Sequence, residues 1–555
     1  MNTTQDKSLK HMLKQTLTQH YDVIIVGAGS GGSVLAHRLS ALDNCKVLLI
    51  EAGPEQGSPT MLRATQNANQ PAVVAELNWK IRSFIKTPPS LEDHSNSRKN
   101  ASYFDYEAGR VIGGSSAVNA TQALRGAPVD FEAWEKECGA EWGWSGVLPY
   151  FCRLEDDPLA HDAASVLQDG SALHGRGGPF PIRRETRSEL RPLHEALIHA
   201  CVQQGFPETH DHNHPDTTGV GVIPKNVISG IRMSTAQTYL AQAKQHPQLH
   251  ILPHAHVHQV FWSNEHRVGG VEVRVDNQLQ KLHADQVFIC AGVMQTPGLL
   301  MRSGIGDVNV LQNLGIRPRT SLKGVGENLM EHPVIGIWGI PKAGQCELGE
   351  PLRQTLLRTS SQVSGYENDL HICMMSGINV AEMFPHLAAS TSSQTLAGIS
   401  TCFNYSTSRG YVRLRSADPY APALVVNNCA AEAGDIAALK QGVRLAWRLL
   451  KEPALASKFE SLLAWTDGMI DSDIALERAI TSFVRPAAHG CGTARMGLNP
   501  EHGAVLTPQG RVHGVDNLWV ADASAIPFIP SVPPHLTTLM VAEKIADHFC
   551  RTYTS

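Results

Sequence analysis

A chain of 555 residues, 42% apolar and 18% charged, has globular composition and is too long for one small core, so two domains are expected. Its formal net charge of -5 argues against a nucleic-acid binder, and no apolar run of 18 residues offers a membrane span. Eleven cysteines without a C-x-x-C pair suit reduced thiols in a cytoplasm better than a disulfide frame or a zinc site.

The first 20 residues, MNTTQDKSLKHMLKQTLTQH, are polar, lack an apolar core and read as a tail rather than a secretory signal. YDVIIVGAGSGGSVLAHRLS follows. Val23 to Val26 predict a buried strand, Gly27, Gly29 and Gly32 fit G-x-G-x-x-G, and Val34, Leu35 and Leu39 begin a helical period. The first glycine permits the turn, the second lets a pyrophosphate approach the backbone, and the third allows close packing of helix on strand. The helix N-terminus then offers free N–H groups to phosphate. A second strand, Lys46 to Ile50, ends in Glu51, 24 residues after Gly27. A carboxylate there accepts from ribose hydroxyls and repels a 2′-phosphate, which favours FAD or NAD over NADP.

GSPTMLRATQNANQ and TPPSLEDHSNSRKNAS read as long surface loops. GRVIGGSSAVNA, residues 109–120, is a second glycine cluster. Gly113 and Gly114 let backbone lie flat against a large ring, and Ser115, Ser116 and Asn119 supply hydrogen bonds, although a simple turn would have the same composition. His254, His256 and His258 alternate as if on one strand face, and His210, His212 and His214 look similar. Neither group has a cysteine or carboxylate frame, so no metal site is assigned. Cys290, Cys402 and Cys491 read as small packing residues. Near the end, RPAAHGCGTARMG sets His489 among small residues. Leu518 to Ala521 predict a strand running into Asp522. Pro533 and Pro534 then open a helix through Leu536, Leu539, Met540, Ile545, Ala546 and Phe549. A helix N-terminus at a flavin's pyrimidine edge would stabilise the charge that develops there on reduction. Sites so far apart in sequence suggest a long flavin dinucleotide.

From about residue 20 to 550 the chain resembles the glucose–methanol–choline (GMC) flavoprotein oxidoreductases. The stretches that carry the resemblance are VGAGSGGSVLAHRLS, LLIEAGP, GRVIGGSSAVNA, IRMSTAQTYL, AGVMQTPGLLMRSGIG, VGENLMEHP, STSRGYVRLRSADP, HGCGTARMG and VADASAIP…HLTTLMVAEKIAD. Within the family it looks nearest to alcohol oxidases of the hydroxymethylfurfural-oxidase and aryl-alcohol type, then to choline and alkanol dehydrogenases. The resemblance implies α/β plus α+β architecture. A discontinuous Rossmann-like FAD-binding domain would take residues 21–155, 220–330 and 485–555, and a substrate domain on an antiparallel sheet would take 156–219 and 331–484. It also implies oxidation of a CH–OH group by hydride transfer to flavin N5.

By motif position, His489 and His535 fall on the family's two active-site positions. FAD contacts are implied for Gly27, Gly29, Ser30, Gly31, Gly32, Glu51, Ala52, Trp79, Arg110, Val111, Gly113, Gly114, Ser115, Asn119, Ala120, Val257, Ala291, Gly292, Asp522, Ala523, Leu536 and Thr537. The chemistry agrees. A neutral imidazole, with a pKa of about 6.5, can take the hydroxyl proton near neutral pH, and a second can hold the hydroxyl so that its C–H faces N5.

Four departures stand out. Val118 occupies the place where covalent members carry histidine, so FAD is expected to bind non-covalently. Ala488 and Ala487 precede His489 where an aromatic wall is common, which should enlarge the site. Phe403 and Cys402, in TCFNYSTSRG, are the expected substrate-side residues, with Phe403 as the replacement wall. Glu331 stands where the family carries aspartate, and His535 where furan-alcohol oxidases carry asparagine. The leading reading is an alcohol oxidase that takes a small-molecule alcohol and passes electrons to O2. A dehydrogenase using a quinone-type acceptor shares the same reductive half-reaction, and a flavin-containing lyase or a non-catalytic FAD-binding protein on the same scaffold are the other classes.

Overall fold

The computed structural model describes residues 16–55, 59–70, 74–87, 103–162, 165–167, 170–383 and 393–553. Its mixed α/β architecture rests on two large sheets, as expected. The first carries the dinucleotide motif and runs in the order 249–252, 47–50, 20–26, 278–289, 268–275, 256–262, with Leu518–Val520 joined to the 278–289 strand. His20–Val26 lies between parallel neighbours on both sides, and Val23, Ile24 and Ile25 are fully buried, the pattern of a strand covered on both faces. The helices Ser30–Leu39 and His535–Tyr553 pack together beside it. Between them Glu543, wholly buried, accepts from Arg38 through both carboxylate oxygens at 2.8 Å and from the Tyr239 hydroxyl at 2.7 Å.

The second sheet has eight strands in a mostly antiparallel arrangement, in the order 459–462, 333–341, 395–403, 370–379, 355–359, 219–222, 208–209, with Arg485–Pro486 on the 333–341 strand. The helix Ala433–Lys451 covers one face. Two segments sit differently from the expected partition. Gly219–Val222, which straddles the expected boundary at 219/220, and Arg485–Pro486, at the start of the expected FAD-binding segment 485–555, both pair in this second sheet. A small sheet joins the two regions, pairing Leu424–Val426 with Ile81–Phe84 and the latter with Tyr103–Tyr106.

Two local expectations need correction. The first predicted loop holds the helix Pro59–Gln66. Its support is tertiary: the buried Arg232 guanidinium donates to the Ala64 and Thr65 carbonyls in the last turn, at 3.3 and 2.7 Å, and to the Gln70 carbonyl beyond the helix at 2.7 Å. The second predicted loop falls largely on 88–102, outside the described residues. His254 is not on a strand. It sits in a left-handed turn with φ 55°, and only His256 and His258 share the strand His256–Trp262. Their rings pack on Tyr420. His210, His212 and His214 likewise do not converge, since His212 is buried and His210 exposed.

Beside the second sheet, Glu155, Asp157 and His174 lie within reach of one another, but the cluster is neutralised by arginines. Arg125 donates to Glu155 at 2.5 Å, and Arg184 to Asp157 at 2.8 Å and Asp211 at 2.7 Å. Burial opposes charge on His174, yet the Asp211 and Glu155 carboxylates outweigh it and raise the imidazole's pKa above its usual value. A raised folded-state pKa gives stability that is full below about pH 6.5 and is lost as pH climbs through the folded-state value. The melting temperature should therefore fall on the alkaline side of pH 6.5, and His174→Gln should flatten that slope.

Candidate active site

The two glycine-rich stretches meet. Gly27, with φ 103°, turns the chain out of the first strand, and Ser30 opens the helix behind Gly29. The Gly113 N–H donates to the Ala28 carbonyl at 2.8 Å. Gly114 has φ 52°, and a Cβ there would lie 2.6 Å from the Gly29 Cα. Gly31 and Gly32 back onto the Ala521 and Gly27 carbonyls, whereas Gly29 would carry a Cβ with nothing nearer than 3.8 Å. Packing thus requires glycine at 31, 32 and 114, while the space above Gly29 stays open.

Glu51, buried, accepts from the Ala28 and Gly53 N–H groups at 3.0 and 2.8 Å; burial raises its carboxyl to about 7, against those hydrogen bonds. Arg110 donates to the Ala52 carbonyl at 3.2 Å, and its guanidinium lies over the Trp79 ring, which also touches His256 one residue before Val257. Val111 packs against Leu77, the Ser115 hydroxyl accepts from Gly109, and the Asn119 amide oxygen accepts from Thr121, one residue past Ala120. Asp522 ties the far pieces together. It accepts from the Gly292 N–H beside Ala291 at 2.8 Å, from the Thr296 hydroxyl at 2.7 Å and from the Ser524 N–H at 2.8 Å. The Ala523 carbonyl accepts from Gly492, three residues past His489.

His489 is held by the chain that precedes the second sheet. Its backbone N–H donates to both Glu331 oxygens, at 2.8 and 3.1 Å, and Glu331 also accepts from the His332 N–H at 2.9 Å and the Tyr106 hydroxyl at 3.0 Å. The Tyr106 hydroxyl in turn accepts from Gly490 N–H at 2.8 Å. Glu331 is therefore the anchor of the His489 loop. The His489 ring meets His332, Nδ1 to Nδ1 at 3.0 Å. The His332 Nε2 is buried without a hydrogen-bond partner, and burial lowers the ring's pKa to about 4. Burial first, then the charges of His332 and Arg353, push the His489 pKa well below its usual value, and burial alone takes His535 to about 4. Both rings are neutral at ordinary pH.

His535 begins the last helix with both ring nitrogens buried and without a hydrogen-bond partner, its ring packed edge-on to Phe180 at 5.4 Å. Leu536 is buried beside it, and the Thr537 hydroxyl two residues on is also buried and unbonded. Buried polar atoms in a native fold almost always have partners, so three orphaned ones at a helix N-terminus fit an absent polar ligand. His535 makes no hydrogen bond to His489. The bonded partner of His489 is His332, which sequence reading passed over although it lies in the quoted VGENLMEHP.

On the substrate side, Cys402 and Phe403 point to opposite faces of one strand. Cys402 pairs across the sheet with His371 and Val334, whereas Phe403 is buried in the core beneath the helix Ala433–Lys451. Phe403 therefore does not wall the site. Ala488 is exposed with φ 62°.

Two family models described as GMC oxidoreductase match residues 21–334 and 406–542. Among curated proteins, the chain is 32% identical to a 5-(hydroxymethyl)furfural oxidase from Methylovorus sp. (strain MP688), over 95% of this chain and 98% of that one. It is 31% identical to an oxygen-dependent choline dehydrogenase from Cronobacter sakazakii (strain ATCC BAA-894), over 95% and 94%. Among solved structures, pyridoxine 4-oxidase from Mesorbium loti superposes with a TM-score of 0.82 at 28% identity, covering 96% of this chain and 99% of that one. The orphaned polar atoms, the paired glycine loops and these matches agree: the chain belongs to the GMC oxidoreductase family, an FAD-dependent oxidoreductase acting on CH–OH groups.

Proposed function

We propose that the protein oxidises a primary or secondary alcohol to the aldehyde or ketone, and that O2 reoxidises the reduced cofactor with release of hydrogen peroxide. The observations that carry the chemistry are the neutral His489 ring, tethered at Nδ1, and the start of the last helix, whose His535 has two buried, unused ring nitrogens. We assign the acceptor role in the Nδ1–Nδ1 contact to His332. Its Nδ1 then accepts, His489 donates through Nδ1–H, and the His489 Nε2 lone pair is left to take the alcohol proton. His535 holds the alcohol oxygen by hydrogen bond.

FAD would lie with its pyrophosphate over Gly29 and the helix start at Ser30, its ribose on Glu51, and its adenine between Trp79 and Val257. Gly113 to Ala120, Gly292, Asp522, Ala523, Leu536 and Thr537 would line its ring system. When bound, it supplies the hydride acceptor. Val118 offers no nucleophile for a covalent link, so acid precipitation should leave the flavin in the supernatant. The names of the oxidase and oxygen-dependent relatives support O2 as acceptor. We place the protein in the cytoplasm, since eleven cysteines scattered along the chain suit reduced thiols.

Peroxide release with a good alcohol tests the acceptor: stoichiometric peroxide is expected, and fast dye reduction without peroxide would make the protein a dehydrogenase.

A further inference from the structure

Beside the sheet face turned toward the site lies an arginine with no ion pair among the described residues. Side chains alternate along a strand, so residues in register across neighbouring strands share a face. One row runs Val334, Cys402, His371, Arg358, and the next Gly336, Ser400, Cys373, Leu356. Leu356 and Cys373 pack against Val532, three residues before His535, so this face looks at the C-terminal segment that carries the second histidine. Met375 continues the face opposite Gly398.

Arg353 reaches this face from the segment just before the strand Thr355–Thr359. Its Nη2 lies 3.8 Å from the Met375 sulfur, a weak acceptor, and its Nε is buried with no partner. Among the described residues, no carboxylate forms an ion pair with it. Its charge also bears on Cys373, Cys402 and His489.

Of the neighbouring charged groups, Arg358 too has a buried, unpartnered Nε but is only 2% exposed, and Glu350 has a buried, unpartnered Oε2. Glu331 accepts three sets of donors behind His489, and Arg358 donates to the His212 carbonyl at 2.7 Å. The backbone on either side of Arg353 is pinned: Leu352 N–H donates to Asn69, and the Gln354 side chain joins Arg191 to Glu185. A half-buried guanidinium without a counter-ion is costly to keep, and its planar fork matches a carboxylate.

We propose that Arg353 is the anion-recognition residue of the substrate pocket, and that the alcohol oxidised here carries a carboxylate remote from its CH–OH group. This rests on the alcohol-oxidation reading above and narrows its substrate class. A quaternary ammonium alcohol would meet the same guanidinium as repulsion.

The test uses the FAD-loaded enzyme and two matched pairs. 4-Methylbenzoate and 4-methylbenzamide, which have no alcohol, are titrated against the flavin spectrum. 4-(Hydroxymethyl)benzoate and 4-methylbenzyl alcohol are compared in anaerobic flavin reduction. The carboxylate of each pair should bind about 10- to 100-fold more tightly than its neutral partner. Arg353→Gln should collapse that ratio toward one, and Arg353→Lys should keep part of it. Equal affinities in the wild type, or a preference that survives Arg353→Gln, would overturn the assignment. If the benzoate shows the arginine-dependent preference but neither alcohol reduces the flavin, the anion site stands and the alcohol reading falls.

Discussion

Replacing His489 with alanine is expected to slow flavin reduction by a good alcohol by about 10²- to 10⁴-fold, the range a general base contributes. The fall should appear in the rate of reduction at saturating alcohol, because the loss is in proton removal and not in general affinity. The fold should survive. The loop is held by the His489 and Gly490 backbone N–H groups, through Glu331 and Tyr106, and those bonds do not need the imidazole. FAD content and melting temperature should therefore stay near wild type. A variant that reduces the flavin at the wild-type rate would remove His489 from the proposed role. Glu331→Ala provides a contrast, since it strikes the anchor and should lower both rate and stability.

Gly114→Val should give a protein that is purified without its yellow colour. At φ 52° a β-branched residue is strained, and its Cβ would stand 2.6 Å from the Gly29 Cα, backbone that cannot give way cheaply. Either the GGSS segment lifts off the first loop or the loop itself shifts, and both carry residues proposed to hold FAD. The measurement is the ratio of flavin to protein absorbance after purification. A variant with full flavin content would show that the contact between the loops is not needed for binding. Gly29→Ala has ordinary room against protein atoms, so any loss of FAD in that variant would report on the ligand's own approach.

Much of the dinucleotide fold was legible because it is written locally. Strand, glycines, helix, strand and acid follow one another within a few dozen residues, and each obeys a short-range steric rule. What was not legible depends on distant partners. The helix Pro59–Gln66 looked like a polar loop because its C-terminal carbonyls are satisfied by Arg232, far along the chain. Phe403 suggests a wall because TCFNYSTSRG reads as lining the substrate side. Strand alternation allows only one of Cys402 and Phe403 to face the site, and register gives that place to Cys402.

His332 was hidden in plain view, since nothing local separates it from the other 25 histidines; only its 3.0 Å contact with His489 does so. Glu331 stood out as an odd substitution, and its reason became visible once the N–H groups of His489 and His332 and the Tyr106 hydroxyl were found around it. Arg353 belongs to no motif at all. Its interest lies in the partner it lacks, which a sequence cannot display.

The most direct measurement is anaerobic rapid mixing of the oxidised enzyme with an alcohol and with the same alcohol carrying deuterium on its carbinol carbon. The expected result is bleaching of the oxidised flavin band, one carbonyl product per flavin, and markedly slower bleaching with the deuterated substrate. Consumption of the alcohol with the flavin band unchanged, or no reaction with any class of alcohol by the fully FAD-loaded protein, would contradict hydride transfer at this site.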